Sequence, residues 1–247
     1  MLFVTAYNHI FNILVFDMKQ KKLFSIIIVA AVLAAIFLFF IFSDKKDQPN
    51  MTQPSSQSSS LGDYDVKMKN DRLKQNIVGT DYYTLALSWS PAFCQKQRRN
   101  NNGKIPQHLK YQCDGEKKFG WVIHGLWPQS ENARRIEDHP RYCQGDLPRV
   151  EEDTIKKYLP ESPGATLLQG EWEKHGACAF NQAEAYFAKQ KSLFNELTLP
   201  DVDMPKSELF KWVRANNPQL KGVYLGGGKD ELYICYDKSW QPMDCPR

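Results

Sequence analysis

The cysteines are the feature that most limits how this chain of 247 residues can fold. All six lie after a long apolar segment near the N-terminus, at Cys94, Cys113, Cys143, Cys178, Cys235 and Cys245. An even number of cysteines, none of them in a C-x-x-C pair, is typical of a domain that forms disulfide bonds in an oxidising compartment. Spacing alone does not choose among the pairings. We prefer the sequential one, which joins Cys94 to Cys113, Cys143 to Cys178, and Cys235 to Cys245.

The apolar segment points to the same compartment. Three lysines between positions 19 and 22 precede about twenty apolar residues at 23–42, a run long enough to cross a bilayer as a helix. The positive charges predict a cytoplasmic N-terminus and export of the rest. The segment is either a cleaved signal peptide or an uncleaved signal anchor, and we favour the anchor because no clear A-x-A site follows it. Met18 is an alternative start to Met1.

Composition divides the chain into three regions. Residues 1–42 are interpreted as an N-terminal extension with the signal peptide or anchor. Residues 43–79 are rich in Ser, Gln and Pro, which predicts a disordered or weakly ordered linker. Residues 80–247 contain all six cysteines and are predicted to form one catalytic domain. The formal net charge is only +4, so recognition of a nucleic acid must depend on a local site and not on bulk charge.

The apolar patterns of the third region predict a mixed fold. Strands are predicted at 81–89, 119–127 and 222–237. Helices are predicted at 167–175, 181–197 and 206–217. Strands separated by helices and disulfides predict an α+β fold, with a mainly antiparallel sheet flanked by helices.

Two short motifs carry the candidate chemistry. In "WVIHGLWPQ", His124 stands between a strand-like apolar run and a turn. In "GEWEKHGAC", a helix would place Glu171 and His175 on the same side, with Lys174 beside them. Each histidine alone is more often a hydrogen-bonded structural residue, and a Glu–His pair at this spacing is often a solvated surface pair. Together the motifs supply two imidazoles, a carboxylate and an ammonium, a set typical of acid–base catalysis.

These motifs resemble those of the ribonuclease T2 family, whose usual patterns are HGLWP and HEWxKHGxC. "LALSWSPAFC" is similar to the first strand of that family, and "LYICYDKSWQPMDCP" to its last strand and last disulfide. The resemblance therefore spans nearly all of residues 80–247. It implies an α+β endoribonuclease that cleaves single-stranded RNA through a 2′,3′-cyclic phosphate, without a metal or other cofactor. It also implies the pairing of Cys143 with Cys178, and we expect a monomer.

The resemblance also implies a role for each motif residue. His175 is expected to remove the proton of the RNA 2′-hydroxyl, and His124 to protonate the departing 5′-oxygen. Glu171 and Lys174 are expected to stabilise or orient the phosphorane. Trp127 is expected to stack on a base; the alternative is a core tryptophan that anchors the turn.

Two departures from the family pattern affect substrate binding. Gly170 stands where many members have a third histidine that contacts phosphate, which predicts weaker binding. Gln129 stands where some members carry an acidic residue that favours adenine, so we place it at the base site and leave the base preference open. The cationic stretch 95–104 is interpreted as a solvated loop. His108 and His139 are interpreted as surface or loop residues.

Two other functions fit parts of the pattern. A metal hydrolase would use His124, Glu171 and His175 as ligands, but the chain lacks an H-E-x-x-H motif there. A catalytically silent RNA-binding or cell-surface binding module of the same fold would be consistent with the missing histidine at position 170. Inactivation by a chelator would indicate the first, and failure to cleave any single-stranded RNA would indicate the second.

Overall fold

A computed structural model describes residues 60–228 and 230–246, and the statements below refer to this part of the chain. Its strands are β1 (Tyr82–Trp89), β2 (Trp121–Gln129), β3 (Glu231–Tyr236) and β4 (Pro242–Met243). They form one antiparallel sheet in the order β2-β1-β3-β4. The α-helices of this part are α1 (Ser90–Asn100), α2 (Lys110–Cys113), α3 (Glu152–Tyr158), α4 (Ala165–Lys174), α5 (Ala183–Asn195) and α6 (Lys206–Asn216). The predicted α+β fold is confirmed.

The core lies between one face of the sheet and the helices. Leu85 and Leu87 of β1 are fully buried there. Tyr186 and Phe187 of α5 belong to the same buried cluster. Because side chains alternate along a strand, the neighbours of these leucines point to the opposite face of the sheet. That opposite face carries Trp127 and Glu231, which pair with Thr84 and Ser88 of β1.

The structure differs from the predicted secondary structure in two of the stretches discussed above, and it adds the helices α2 and α3, which were not predicted. The predicted strand at 222–237 is regular only in β3, because its glycine-rich first half makes a single isolated bridge between Gly226 and Tyr233. The cationic stretch 95–104, interpreted as a loop, belongs to α1 up to Asn100. Pro91 in the first turn favours this helix, since proline has no N–H that a helix start would leave unpaired.

Residues 60–79 pack onto the domain, in contrast to the linker predicted for 43–79. Tyr64 is only 2% exposed, and its hydroxyl donates a hydrogen bond to the carbonyl of Val150 at 2.6 Å. Asn76 forms an antiparallel bridge with Arg141. The polar composition of 43–79 as a whole conceals the contact, because Leu61 and Tyr64, which pack in the main core cluster, lie among polar residues. The packed unit therefore begins before residue 80, while 43–59 lie outside the described residues.

Three disulfide bonds join helices, loops and strands of this unit. They connect Cys94 to Cys113, Cys143 to Cys178, and Cys235 to Cys245. This is the sequential pairing preferred from the sequence. Within residues 60–228 and 230–246, no helix has the length and apolar character needed to span a bilayer. The predicted membrane segment at 23–42 lies outside the described residues.

Candidate active site

A β-bulge in β2 presents His124. Ala86 of β1 faces Gly125, but the next residue, Leu87, faces Ile123, so His124 is the extra residue between them. Such a bulge redirects a side chain and is common beside active sites. The His124 side chain is 34% exposed, whereas Ile123 is 1% exposed. The bulge therefore turns the imidazole out of the core.

Glu231, the first residue of β3, holds the imidazole of His124. Oε1 of Glu231 lies 3.0 Å from Nδ1 of His124, and because an ionised carboxylate only accepts hydrogen bonds, Nδ1 carries the proton. The other carboxylate oxygen accepts a hydrogen bond from the hydroxyl of Tyr233 at 2.5 Å. Nε2 of His124 is then left for substrate, 3.7 Å from Glu171 Oε1.

The second motif brings Glu171 against β2. This residue of α4 is 7% exposed, and its Oε2 accepts a hydrogen bond from the indole N–H of Trp127 at 2.7 Å. A Cβ at position 125 would lie 1.9 Å from that same oxygen, so Gly125 is what allows the close approach. Burial raises the pKa of Glu171, although the positive charge of His124 and the Trp127 hydrogen bond oppose this effect.

His175 follows directly after the last residue of α4. It is 8% exposed, and its Nδ1 has no hydrogen-bond partner among the described residues. Its ring centroid lies 5.6 Å from that of Trp127, and the centroid of His124 lies 5.2 Å from the same indole. Trp127 thus lies beside both imidazoles, and its indole N–H donates a hydrogen bond to Glu171.

The two histidines have pKa values shifted in opposite directions. Burial lowers the pKa of His124, but the hydrogen bond to Glu231 and the charges of Glu171 and Glu231 outweigh it, so the pKa lies above its usual value. Burial moves the pKa of His175 well below its usual value, and the positive charge of Arg141 lowers it further. At neutral pH, His175 is neutral and His124 is the imidazole more readily protonated.

Lys174 ends α4 and is 28% exposed. Its ammonium lies 2.5 Å from a carboxylate oxygen of Asp71, which belongs to the segment predicted to be a linker. The buried guanidinium of Arg141 lies 3.4 Å from the same oxygen. The sequence motifs predicted Lys174 beside the histidines but gave no signal for Asp71 or Arg141.

Two cavities lie beside these side chains. A cavity of about 420 Å³ is lined by residues that include Phe93, Val122, His124 and Glu231. A second cavity of about 360 Å³ is lined by residues that include Trp127, Gln129 and His139. Trp127 and Gln129, both predicted to contact a base, therefore share one cavity. His139 was interpreted as a surface or loop residue, and in the structure it also lines the cavity that Trp127 and Gln129 share.

The metal-hydrolase alternative required a set of ligands around His124. Within residues 60–228 and 230–246, no group of three or more His, Cys, Asp or Glu side chains is arranged to hold a metal ion.

Comparisons with known proteins agree with this architecture. The ribonuclease T2 family model matches residues 80–206. A probable ribonuclease of Haemophilus influenzae is 54% identical over 186 residues, which cover 75% of this chain and 68% of that protein. Ribonuclease I of Escherichia coli is 30% identical over 145 residues, which cover 47% of this chain and 54% of that protein.

The structural comparison bears on the fold. An RNase-related protein from Calystegia sepium has a TM-score of 0.50 at 20% identity, covering 69% of this chain and 92% of that one. The fold and the matches together define an endoribonuclease with a disulfide-bonded α+β domain. The chain belongs to the ribonuclease T2 family.

Proposed function

We propose that this protein cleaves single-stranded RNA by metal-independent transphosphorylation through a 2′,3′-cyclic phosphate. The observation that carries the proposal is the pair of imidazoles that both lie beside Trp127, with pKa values shifted in opposite directions. Cleavage of RNA by its own 2′-hydroxyl needs one base and one acid. A neutral His175 and a protonated His124 supply both at the same pH.

In the first step, the His175 imidazole accepts the proton of the 2′-hydroxyl as its oxygen attacks phosphorus. The bond from phosphorus to the 5′-oxygen breaks, and Nε2–H of His124 gives its proton to that oxygen. The products are a 2′,3′-cyclic phosphate and a 5′-hydroxyl. Hydrolysis of the cyclic phosphate then runs with the roles exchanged, because each histidine ends the first step in the opposite protonation state.

The neighbouring side chains stabilise the phosphorane and bind the base. The ammonium of Lys174 offsets the negative charge that develops on phosphorus. Glu171 orients the indole of Trp127 and faces Nε2 of His124. Trp127 and Gln129 line the cavity that would receive a base, and the indole would stack on that base.

We propose that the enzyme acts outside the cytoplasm. Three disulfide bonds suit an oxidising compartment, and the apolar residues 23–42 would direct export to the periplasm or the exterior. We favour retention of this segment as a membrane anchor. One copy of the chain carries both histidines, so a monomer suffices for the reaction.

The full-length protein should cleave a single-stranded RNA oligonucleotide in excess EDTA and leave 2′,3′-cyclic phosphate ends, detected by mass spectrometry. The matched control is the same oligonucleotide with one 2′-deoxy nucleotide, which should resist cleavage at that linkage because it lacks the nucleophile. Loss of cleavage in EDTA would favour a metal hydrolase. Absence of any cleavage would favour the silent binding module, and cleavage at the deoxy linkage would exclude attack by the 2′-oxygen.

A further inference from the structure

The segment 60–79 covers the face of α4 that carries Lys174. Gly170 and Lys174 are four residues apart and lie on one side of the helix. A Cβ at Gly170 would lie 3.7 Å from the side chain of Val66, and Asp71 contacts Lys174 one turn further on. This segment lies upstream of the range that the family model matches. Val66 therefore lies beside the position where the family motif usually has a histidine.

Asp71 is held by three donors. Its Oδ2 lies 2.5 Å from Nζ of Lys174, 3.2 Å from the hydroxyl of Tyr142, and 3.4 Å from Nη2 of Arg141. The Asp71 side chain is 14% exposed and that of Arg141 is 5% exposed. Burial raises the pKa of Asp71, but the hydrogen bonds from Lys174 and the N–H of Leu73, together with the charges of Lys174 and Arg141, outweigh it and lower the pKa to about 2. The carboxylate therefore stays ionised throughout the range in which the histidines titrate.

Both sides of this cluster are fixed to the fold. The segment is joined to the domain before Asp71 by the buried Tyr64 and after it by the bridge between Asn76 and Arg141. On the other side, Tyr142 has a φ of 48°, a conformation that favours glycine and persists in other residues only where the surroundings impose it. The N–H of Tyr142 donates to the carbonyl of Lys174 at 2.9 Å. Tyr142, which donates to Asp71, is thus hydrogen-bonded to the end of α4 that also carries the Lys174 ammonium.

We propose that Asp71 is a positioning residue that holds the Lys174 ammonium beside the two histidines. The proposal rests on the proposed function, in which Lys174 stabilises the phosphorane. A lysine side chain is long and flexible, and its ammonium is strongly hydrated, so without a partner it would spend much of its time in water. One carboxylate contact uses one of its three N–H donors and leaves two for the phosphate. The segment upstream of the family match is therefore part of the catalytic unit.

The test is a double-mutant cycle on the full-length protein, with kcat and KM measured on one RNA oligonucleotide. Asp71→Asn should lower kcat about tenfold and change KM less than about twofold. A loss of this size is below the ~10²-fold decrease in rate that a misplacement of about 1 Å can cause. In the Lys174→Ala background, the same change should alter kcat less than about twofold, because Asp71 acts through Lys174. Asp63→Asn, an exposed carboxylate of the same segment, is the matched control and should match the wild type.

Three kinetic outcomes would overturn the proposal. An equal loss in both backgrounds would show a general structural effect, and a rise in kcat/KM for Asp71→Asn would show that the carboxylate competes with phosphate.

If Asp71→Asn fails to fold, Tyr142→Phe removes one donor of Asp71 and keeps the ion pair between Asp71 and Lys174. It should lower kcat about twofold to threefold, and only when Lys174 is present. A wild type that cleaves no RNA would refute the proposed function, whereas an active wild type matched by Asp71→Asn would refute only the role of Asp71.

Discussion

His175→Phe and His124→Phe are each expected to lower kcat by roughly 10²- to 10⁴-fold, the usual contribution of a general acid or base. Phenylalanine keeps a flat ring of similar size beside Trp127 but cannot accept or donate a proton. The disulfide bonds do not involve either position, so the fold should persist. Initial rates on a single-stranded RNA oligonucleotide, with near-ultraviolet circular dichroism as a check of folding, measure the effect.

The double variant gives the control for this prediction. If both histidines act in one proton-transfer step, the double variant should be little slower than either single variant, because residues that act as a unit are strongly non-additive. Near-normal turnover by folded His124→Phe would mean that the imidazole in "WVIHGLWPQ" is a structural histidine and that Glu231 holds it for the fold alone.

Tyr64→Ala is expected to lower the free energy of unfolding by about 3–5 kcal/mol, the usual cost of removing a large buried aromatic ring. The reason is that Tyr64 is 2% exposed within the main core cluster. Tyr64→Phe is the matched control. It keeps the ring and loses only the hydrogen bond to Val150, so it should cost about 1 kcal/mol. Urea unfolding of both variants and the wild type, under oxidising conditions, provides the comparison.

This stability measurement also decides where the folded unit begins. A Tyr64→Ala variant as stable as the wild type would indicate that residues 60–79 associate only loosely, as the linker prediction for 43–79 implies. A loss of several kcal/mol would place the start of the unit before residue 64. It would also mean that a truncated chain beginning at residue 80 lacks part of the core.

The sequence indicates which residues carry the candidate chemistry, but it does not indicate how those residues are arranged in space. The motifs around His124 and His175 could be identified because the residues of each lie close together in the chain. Glu231 could not, because its contact with His124 spans 107 positions and arises only when β3 pairs with β1. The bulge that presents His124 is a matter of register between two strands, which alternation of apolar residues does not specify to one residue.

The region before residue 80 shows a different limit. The Ser-, Gln- and Pro-rich composition of 43–79 predicts disorder, because composition is averaged over the whole stretch and does not show that Leu61, Tyr64 and Val66 contact the domain. Gly170 is a related case. The missing histidine predicts a lost phosphate contact. The sequence does not show that Val66 lies beside Gly170, or that Asp71 contacts Lys174 one turn further along the helix.

We propose that the two imidazoles divide the proton transfers because their surroundings shift their pKa values apart. Titration of the folded protein by NMR, following the ring protons of both histidines, measures this directly. We predict that His124 titrates above ~6.5 and His175 below it, and that Glu231→Gln lowers the pKa of His124 because it removes the carboxylate charge at Nδ1. A His175 that titrates above His124 would contradict the assignment of His175 as base and His124 as acid.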